Sequence, residues 1–211
     1  MHKYLVAERF ASIQGEGLYS GTPMKFIRFV GCSVGKKICH ACDTSFEQIL
    51  PWRGGGEYTP EELLEWAGEY QHVCLTGGEP LDQDLQPLLA VGQPGKGGPL
   101  FHVETSGTKT IQDLPEGKVW VCVSPKPGFL EESIDAADEV KVIVPGLGSG
   151  PGWPTLADAL GWAAAGKLVY LQPRNAKFDV DQQNLRYVLD LLVDHPQLRL
   201  SLQAHKLLKV Q

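Results

Sequence analysis

The sequence predicts an α/β fold, a partial (incomplete) TIM-like β/α barrel, and three observations carry that expectation. Seven short apolar runs punctuate the chain, and helical patterns lie between them. The 211 residues also fall short of the roughly 250 that a complete eight-fold barrel takes. Strand, helix, strand repeated along a chain signals parallel strands joined by right-handed crossovers.

The runs are MKFIRFV (24–30), HVCLT (72–76), LFHVE (100–104), VWVCV (119–123), VKVIV (140–144), KLVYL (167–171) and LRLSL (198–202). They are nearly continuous rather than alternating, as strands buried on both faces are. TPEELLEWAGEY (59–70) predicts a helix. Thr59 caps it, Pro60 takes the first helical position and Glu62 closes a capping box, with Leu63, Ala67 and Tyr70 on one face. TLADALGWAAAG (155–166) and DQQNLRYVLDLLVDH (181–195) are the other clear helices, the last with Leu185, Leu189 and Leu192 in line. The Gly/Pro stretch from Val91 to Pro99 reads as a surface loop. Nothing marks a linker, so residues 1–211 are expected to form a single domain.

Composition removes several function classes. At 43% hydrophobic the chain can bury a sizeable core. A formal net charge of -6 with no block of Lys and Arg argues against a nucleic-acid surface, which rests on neutralising phosphates. No apolar run is long enough to cross a membrane. MHKYLVAERFASIQGEG lacks the uninterrupted apolar core of a signal peptide, so a cytoplasmic protein is expected. In a reducing compartment the five cysteines are ligands or core residues rather than disulfides.

Polar and small residues gather where the runs end: GC, TGGEP, ETSGT, SPK and QPRN. Such carboxyl ends are where barrels and open sheets place their sites. The PG after Val144 reads as a plain loop. The segment GCSVGKKICHACDTSF (31–46) holds Cys32, Cys39 and Cys42. One reading is a structural zinc site, with His40, Cys74 or Cys122 as fourth ligand. His40 adjoins Cys39, which strains shared ligation, and Cys74 and Cys122 read as core cysteines inside apolar strands. The other reading is an iron–sulfur cluster held by three thiolates, one iron keeping an exchangeable position.

The cysteine loop after the first core strand, with TGGEP after the next, resembles the radical S-adenosylmethionine (SAM) superfamily. Within it, IQGEG, RFVGC, CHACDTSF, ETSGT, VSPK, EVKVIVP, QP and the terminal LSLQAHK resemble the 7-carboxy-7-deazaguanine synthases. The likeness runs from about residue 8 onward with the motif order intact. Two features depart from it. Six residues separate Cys32 from Cys39, where the superfamily pattern is C-x3-C-x2-C, and Ala41 stands where an aromatic residue is usual.

The resemblance implies a [4Fe-4S] cluster on Cys32, Cys39 and Cys42. It implies SAM held by Ala41, Asp43, Gly78, Ser124, Pro125, Lys126, Gln172, Pro173, Arg174 and Asn175, with Ala41 offering only its backbone. Gly77 and Gly78, without a Cβ, would let the backbone approach the methionine moiety. A magnesium ion is implied at Thr44, although Asp43-Thr44 also suits an N-cap or turn. The implied substrate is 6-carboxy-5,6,7,8-tetrahydropterin, met by Ile13, Gln14, Gly15, Glu16, Arg28, Thr76, His205 and the terminal carboxylate of Gln211. Arg28 is a charge within an apolar run, where an unpartnered charge is costly, and its planar fork suits the substrate carboxylate. The residues alone also admit plainer roles. Glu16 between glycines fits a turn, Lys126 a solvated loop, and Leu207, Leu208 and Val210 could simply tuck the terminus onto the core. The implied reaction is a ring contraction with loss of ammonia, in which no side chain is assigned as catalyst. An electron donor such as a flavodoxin and a homodimer accompany it. The rival readings are another radical SAM enzyme, such as a glycyl-radical activase, and a zinc-stabilised binding module.

Overall fold

The computed structural model describes residues 2–35, 38, 39, 42, 47–92, 97–111, 114, 119–145, 148–176 and 179–210, the side chains of 175 and 176 excepted. Its strands are β1 (Tyr4–Ile13), β2 (Pro23–Phe29), β3 (Gly56–Tyr58), β4 (His72–Gly77), β5 (Leu100–Thr105), β6 (Val119–Val123), β7 (Glu139–Val144), β8 (Leu168–Pro173), β9 (Asn175–Ala176), β10 (Asp179–Val180) and β11 (Arg199–Leu200). Its helices are α1 (Pro60–Ala67), α2 (Gln86–Val91), α3 (Glu131–Asp135), α4 (Leu156–Ala164), α5 (Gln182–Asp194) and α6 (Ala204–Leu207).

One nine-stranded sheet has the order β11-β8-β7-β6-β5-β4-β2-β1-β3. From β2 to β11 neighbouring strands are parallel, and β1 and β3 extend that edge antiparallel. The sheet ends at β11 and β3 without closing, so the partial barrel holds. All seven expected runs are strands of this parallel set. The sequence reading missed β1, because Glu8 and Arg9 interrupt its apolar residues.

Strands in such a sheet alternate their side chains between two faces. The outer face carries Ile27, Phe29, Val73, Leu75, Phe101, Val103, Val121, Val140, Val142 and Leu171, all buried with Leu63, Ala67, Leu88, Ala159 and Val188 of the helices. The inner face is different. It holds Arg28, Thr76, Glu104, Lys141 and Gln172, one polar residue from each of five strands. The nearly continuous runs therefore pack as apolar-out, polar-in strands. Farther along that face, the His72 and His102 rings lie 2.9 Å apart, nitrogen to nitrogen, and Tyr19 stands edge-on to His102 and Trp120. Burial pulls His102 down to about 3, so its ring is neutral.

The helices follow their sequence signals with two corrections. Thr59 and Glu62 form the reciprocal capping box and Pro60 opens α1. However, α1 stops at Gly68, whose φ of 62° suits a residue without Cβ, so Tyr70 lies past the helix and is 36% exposed. In α5 the buried residue is Val188, and Leu189 is 44% exposed. At 3.6 residues per turn, Leu185, Val188 and Leu192 share the inward stripe and Leu189 falls beside it. Within the expected 91–99 loop, residues 93–96 lie outside the described residues. Thr59→Ala removes the cap and should cost about 1 kcal/mol. The expected fall in melting midpoint, followed by far-UV circular dichroism, is roughly 2–4 °C.

Candidate active site

A cavity of about 210 Å³ opens on the inner face, lined by Phe10, Ile13, Gln14, Gly15, Glu16, Phe26, Arg28, Cys74, Thr76, Glu104, Gln203, His205 and Lys206. Seven expected substrate residues thus converge there from β1, the turn after it, β2, β4 and α6. Phe10 and Phe26 stack at 5.1 Å with planes 6° apart, giving the cavity an apolar wall. Gln211 lies outside the described residues. Leu207, Leu208 and Val210 are 39%, 62% and 46% exposed, so they do not tuck the segment onto the core.

The centre of the polar face is Lys141, 3% exposed. Its ammonium donates to Glu16 Oε2 at 2.6 Å and to Glu104 Oε2 at 2.8 Å. The remaining oxygens are also engaged: Gln203 Nε2 donates to Glu16 Oε1 at 2.7 Å, and Gln14 Nε2 to Glu104 Oε1 at 3.0 Å. Burial alone would raise the Glu16 carboxyl, but Lys141 and Gln203 outweigh it and hold the group down at about 2. Burial likewise opposes the charge on Lys141, and the surrounding carboxylates more than offset it. Glu139, beneath them, accepts from the Leu18 N–H at 2.9 Å, and burial raises its carboxyl.

Glu16 can reach β7 because the sheet curls. Four strands stand between β1 and β7 in the sheet order, yet the turn after β1 touches Lys141. The segment before α6 locks this turn. Ala204 N–H donates to the Gly15 carbonyl at 2.9 Å, and Gly17 N–H to Ser201 Oγ at 3.1 Å. Ser201 Oγ in turn donates to Gln172 Oε1 at 2.8 Å, so that amide oxygen serves the latch. Gly15 is required by contact: a Cβ there would stand 1.9 Å from His205 Nδ1.

Arg28 lines the cavity, but its buried charge already has a partner. Its Nε donates to Glu8 Oε1 at 2.9 Å, and Arg53 Nη1 reaches Glu8 Oε2 at 2.7 Å. The cost of burial in an apolar strand is met by Glu8, on the strand the sequence reading missed, and does not itself argue for a ligand. Cys74 and Cys122 are buried inside their strands as expected, both 1% exposed. They lie on the inner face, where Cys74 lines the cavity.

The cysteine loop leaves β2 beside the turn that ends β4. Cys32, Cys39 and Cys42 are half-buried free thiols, and burial raises Cys39 while the Lys126 charge works the other way. Among the described residues no three His, Cys, Asp or Glu side chains converge to hold a metal ion. A cluster spreads its thiolates over different irons and does not ask them to meet at one point, so this donor set fits one. Gly77 and Gly78 are glycines because protein fills their Cβ positions. A Cβ on Gly77 would meet the Phe29 backbone at 2.7 Å, and one on Gly78 the Gly31 carbonyl at 1.8 Å. Close packing of two strand ends thus by itself calls for residues without a Cβ at both positions. Glu79 of the same turn accepts from Thr105 Oγ1 at 2.6 Å, from Ser106 N–H at 2.9 Å and from the Ser106 hydroxyl. It ties TGGEP to ETSGT.

Ser124, Pro125 and Lys126 follow β6. Lys126 is no solvated loop lysine, since its ammonium folds back onto Ser124 O and Oγ, both at 2.8 Å, and burial lowers its pKa. Gln172 and Pro173 end β8, and Arg174 follows, exposed, with its N–H on the Val144 carbonyl at 2.8 Å. His40, Ala41, Asp43, Thr44 and the Asn175 side chain lie outside the described residues. Sequence reasoning missed Glu104, Lys141, Gln203, Lys206, Phe10 and Phe26. For Lys141 the signal was present: one charge inside VKVIV.

A three-cysteine loop on the first parallel strand of an open β/α sheet, closed against a Gly-Gly-Glu turn, defines an enzyme of the radical SAM type. No family model matches the chain. It is 34% identical over 211 residues to the 7-carboxy-7-deazaguanine synthase of Bacteroides thetaiotaomicron, covering 98% of both chains. With the enzyme of that name from Escherichia coli it shares 32% identity, covering 99% of both. The crystal structure of QueE from Escherichia coli superimposes with a TM-score of 0.73 at 30% identity, over 96% of this chain and 95% of that one. The chain belongs to the 7-carboxy-7-deazaguanine synthase family.

Gly15→Ala forces a Cβ into His205 and should loosen the latch at a cost of roughly 1–3 kcal/mol. A lowered melting midpoint and faster carboxypeptidase trimming from the C-terminus are expected. Unchanged trimming would show that Gly15 does not hold this segment.

Proposed function

We propose that the cavity binds 6-carboxy-5,6,7,8-tetrahydropterin and that the enzyme, a lyase, contracts its ring to 7-carboxy-7-deazaguanine with loss of ammonia, in 7-deazapurine biosynthesis of the queuosine type. The observation that carries this reading is the convergence of Ile13, Gln14, Gly15, Glu16, Arg28, Thr76 and His205 on one cavity. Membership of the family supplies the reaction class.

The chain's own residues bind and orient. Glu16, held ionised, is an acceptor for the amino and ring N–H groups of a pterin, and Gln14 adds an amide beside it. Such charge-assisted bonds contribute about 1.5–3 kcal/mol each. Arg28 presents a guanidinium that Glu8 has already oriented, suited to the substrate carboxylate. Thr76 pairs with Arg28 in the β2–β4 register and shares its edge of the cavity. The stacked Phe10 and Phe26 offer an apolar wall to the flat ring and exclude water from one side. His205 and the carboxylate of Gln211 complete the contacts in this reading.

Cys32, Cys39 and Cys42 would hold the [4Fe-4S] cluster. SAM would lie along Gly78, Ser124, Pro125, Lys126, Gln172, Pro173, Arg174 and Asn175, with Ala41 and Asp43 at the cysteine loop. When bound, these cofactors supply a 5'-deoxyadenosyl radical that takes hydrogen from the substrate and returns it. Thr44 would hold magnesium, whose preference for oxygen ligands suits a hydroxyl and substrate oxygens. An electron donor such as a flavodoxin, a homodimer, one domain spanning 1–211 and a cytoplasmic location complete the proposal. Among the described residues no helix is long and apolar enough to cross a membrane.

Anaerobic turnover of the carboxy-tetrahydropterin with SAM and a reductant should yield the deazaguanine chromophore, and absence of product would overturn the reading. Cys39→Ala should abolish both iron content and turnover; full iron retention would show that the cysteine set is wrong. Arg28→Lys keeps the charge and loses the fork, so it should raise the KM for the pterin while leaving SAM cleavage without substrate unchanged. An unchanged KM would reduce Arg28 to a partner of Glu8.

A further inference from the structure

Resting on the pterin reading above, we infer that Lys141 is a positioning residue that sets specificity. It keeps Glu16 and Glu104 as hydrogen-bond acceptors, so the cavity selects the amine-bearing edge of a pterin over the oxo edge of a lumazine.

The geometry is the argument. One buried ammonium donates to both carboxylates, at 2.6 and 2.8 Å, and both carboxylates line the cavity. Gln203 and Gln14 orient the other oxygens at 2.7 and 3.0 Å. A carboxylate has about four lone-pair sites, so each keeps accepting capacity toward a ligand. A pterin's exocyclic amine and ring N–H offer donors there, whereas a lumazine replaces the amine with a carbonyl that would face two anions. A site built to receive a donor rejects a ligand lacking it, because its own buried groups are left unpaired.

Without Lys141 two carboxylates would share a buried space, and like charges so placed retain a proton between them. A protonated carboxyl donates, which is right for the carbonyl and wrong for the amine. The other ionisable groups around this centre do not remove that demand. Glu139 on β7 adds negative charge, and the Cys74 and Cys122 thiols are raised by burial and stay neutral. Arg28 on β2 is tied to Glu8, Lys126 after β6 folds onto Ser124, and Lys206 donates to Gln203 Oε1 at 3.0 Å. His205 contributes favourably to the Glu16 charge from α6.

The test is an anaerobic fluorescence titration of the cluster-loaded protein with 6-carboxypterin and 6-carboxylumazine, from weakly acidic to neutral pH. The wild-type protein should prefer the pterin with no pH slope. In Lys141→Met the pterin affinity should fall by about tenfold or more, a change of about 1.4 kcal/mol, while the lumazine affinity holds or improves. The remaining pterin affinity should rise with pH as the shared proton leaves. Lys141→Met/Glu104→Gln removes a negative charge along with the positive one, which guards against misfolding. It leaves Glu16 buried without its cation and should show the same loss of preference and the same slope. Equal weakening for both ligands without a pH slope, or a wild-type protein with no preference, would overturn the role of Lys141 alone. A wild-type protein that does not bind 6-carboxypterin would overturn the pterin reading itself.

Discussion

The structure turns on one buried ammonium. Lys141 sits on a strand whose neighbours are valines, and its charge is tolerable only because Glu16 and Glu104 come to it. Breaking such a pair by removing one partner typically costs about 3–5 kcal/mol, because a charge is left buried and alone. That cost makes the arrangement specific. The turn after β1 has to cross the mouth of the curled sheet to reach β7, and in doing so it places Gln14, Gly15 and Glu16 in the cavity. An apolar residue at 141 would relieve the desolvation but leave the turn held only by Ser201, Gln203, Ala204 and Glu139.

A second pair follows the same logic at the other side of the cavity. Glu8 on β1 is nearly fully buried and holds Arg28 and Arg53 together. The two antiparallel strands at the edge of the sheet are therefore part of the site as well as an extension of the fold. On the cysteine side, Glu79 plays the corresponding part, anchoring the end of β4 to the end of β5 through Thr105 and Ser106. Two buried carboxylates, Glu8 and Glu79, thus fix two parts of the site. In each case the acid binds protein, so the ligand-facing groups are oriented before a ligand arrives.

The parallel strands were legible because their outer faces are almost entirely apolar, which a single sequence shows directly. Their inner faces were not, because one or two polar residues per strand barely disturb a hydrophobic run. Arg28 was noticed by that exception, yet Lys141 in VKVIV carried the same sign and went unused. The strand β1 was hidden by Glu8 and Arg9, whose burial depends on partners distant in sequence. The glycine pair of TGGEP was legible as a requirement for missing Cβ atoms, and its packing against the neighbouring strand end could not be read locally. The C-terminal residues Gln203 and Lys206 lay within the LSLQAHK motif but showed no periodicity, since a four-residue helix has none to detect.

The latch between the turn after β1 and the segment before α6 joins residues 184 and 187 positions apart, as in Gly17 with Ser201 and Glu16 with Gln203. Contacts of that separation close after local ones, because the chain between them has to be ordered first. Each strand–helix–strand unit can assemble from neighbours in sequence, and the cysteine loop belongs to the first of these. The floor of the cavity belongs to none. The molecule therefore builds its scaffold before its ligand-binding surface, and a chain with every parallel strand in place still has a barrel without a bottom.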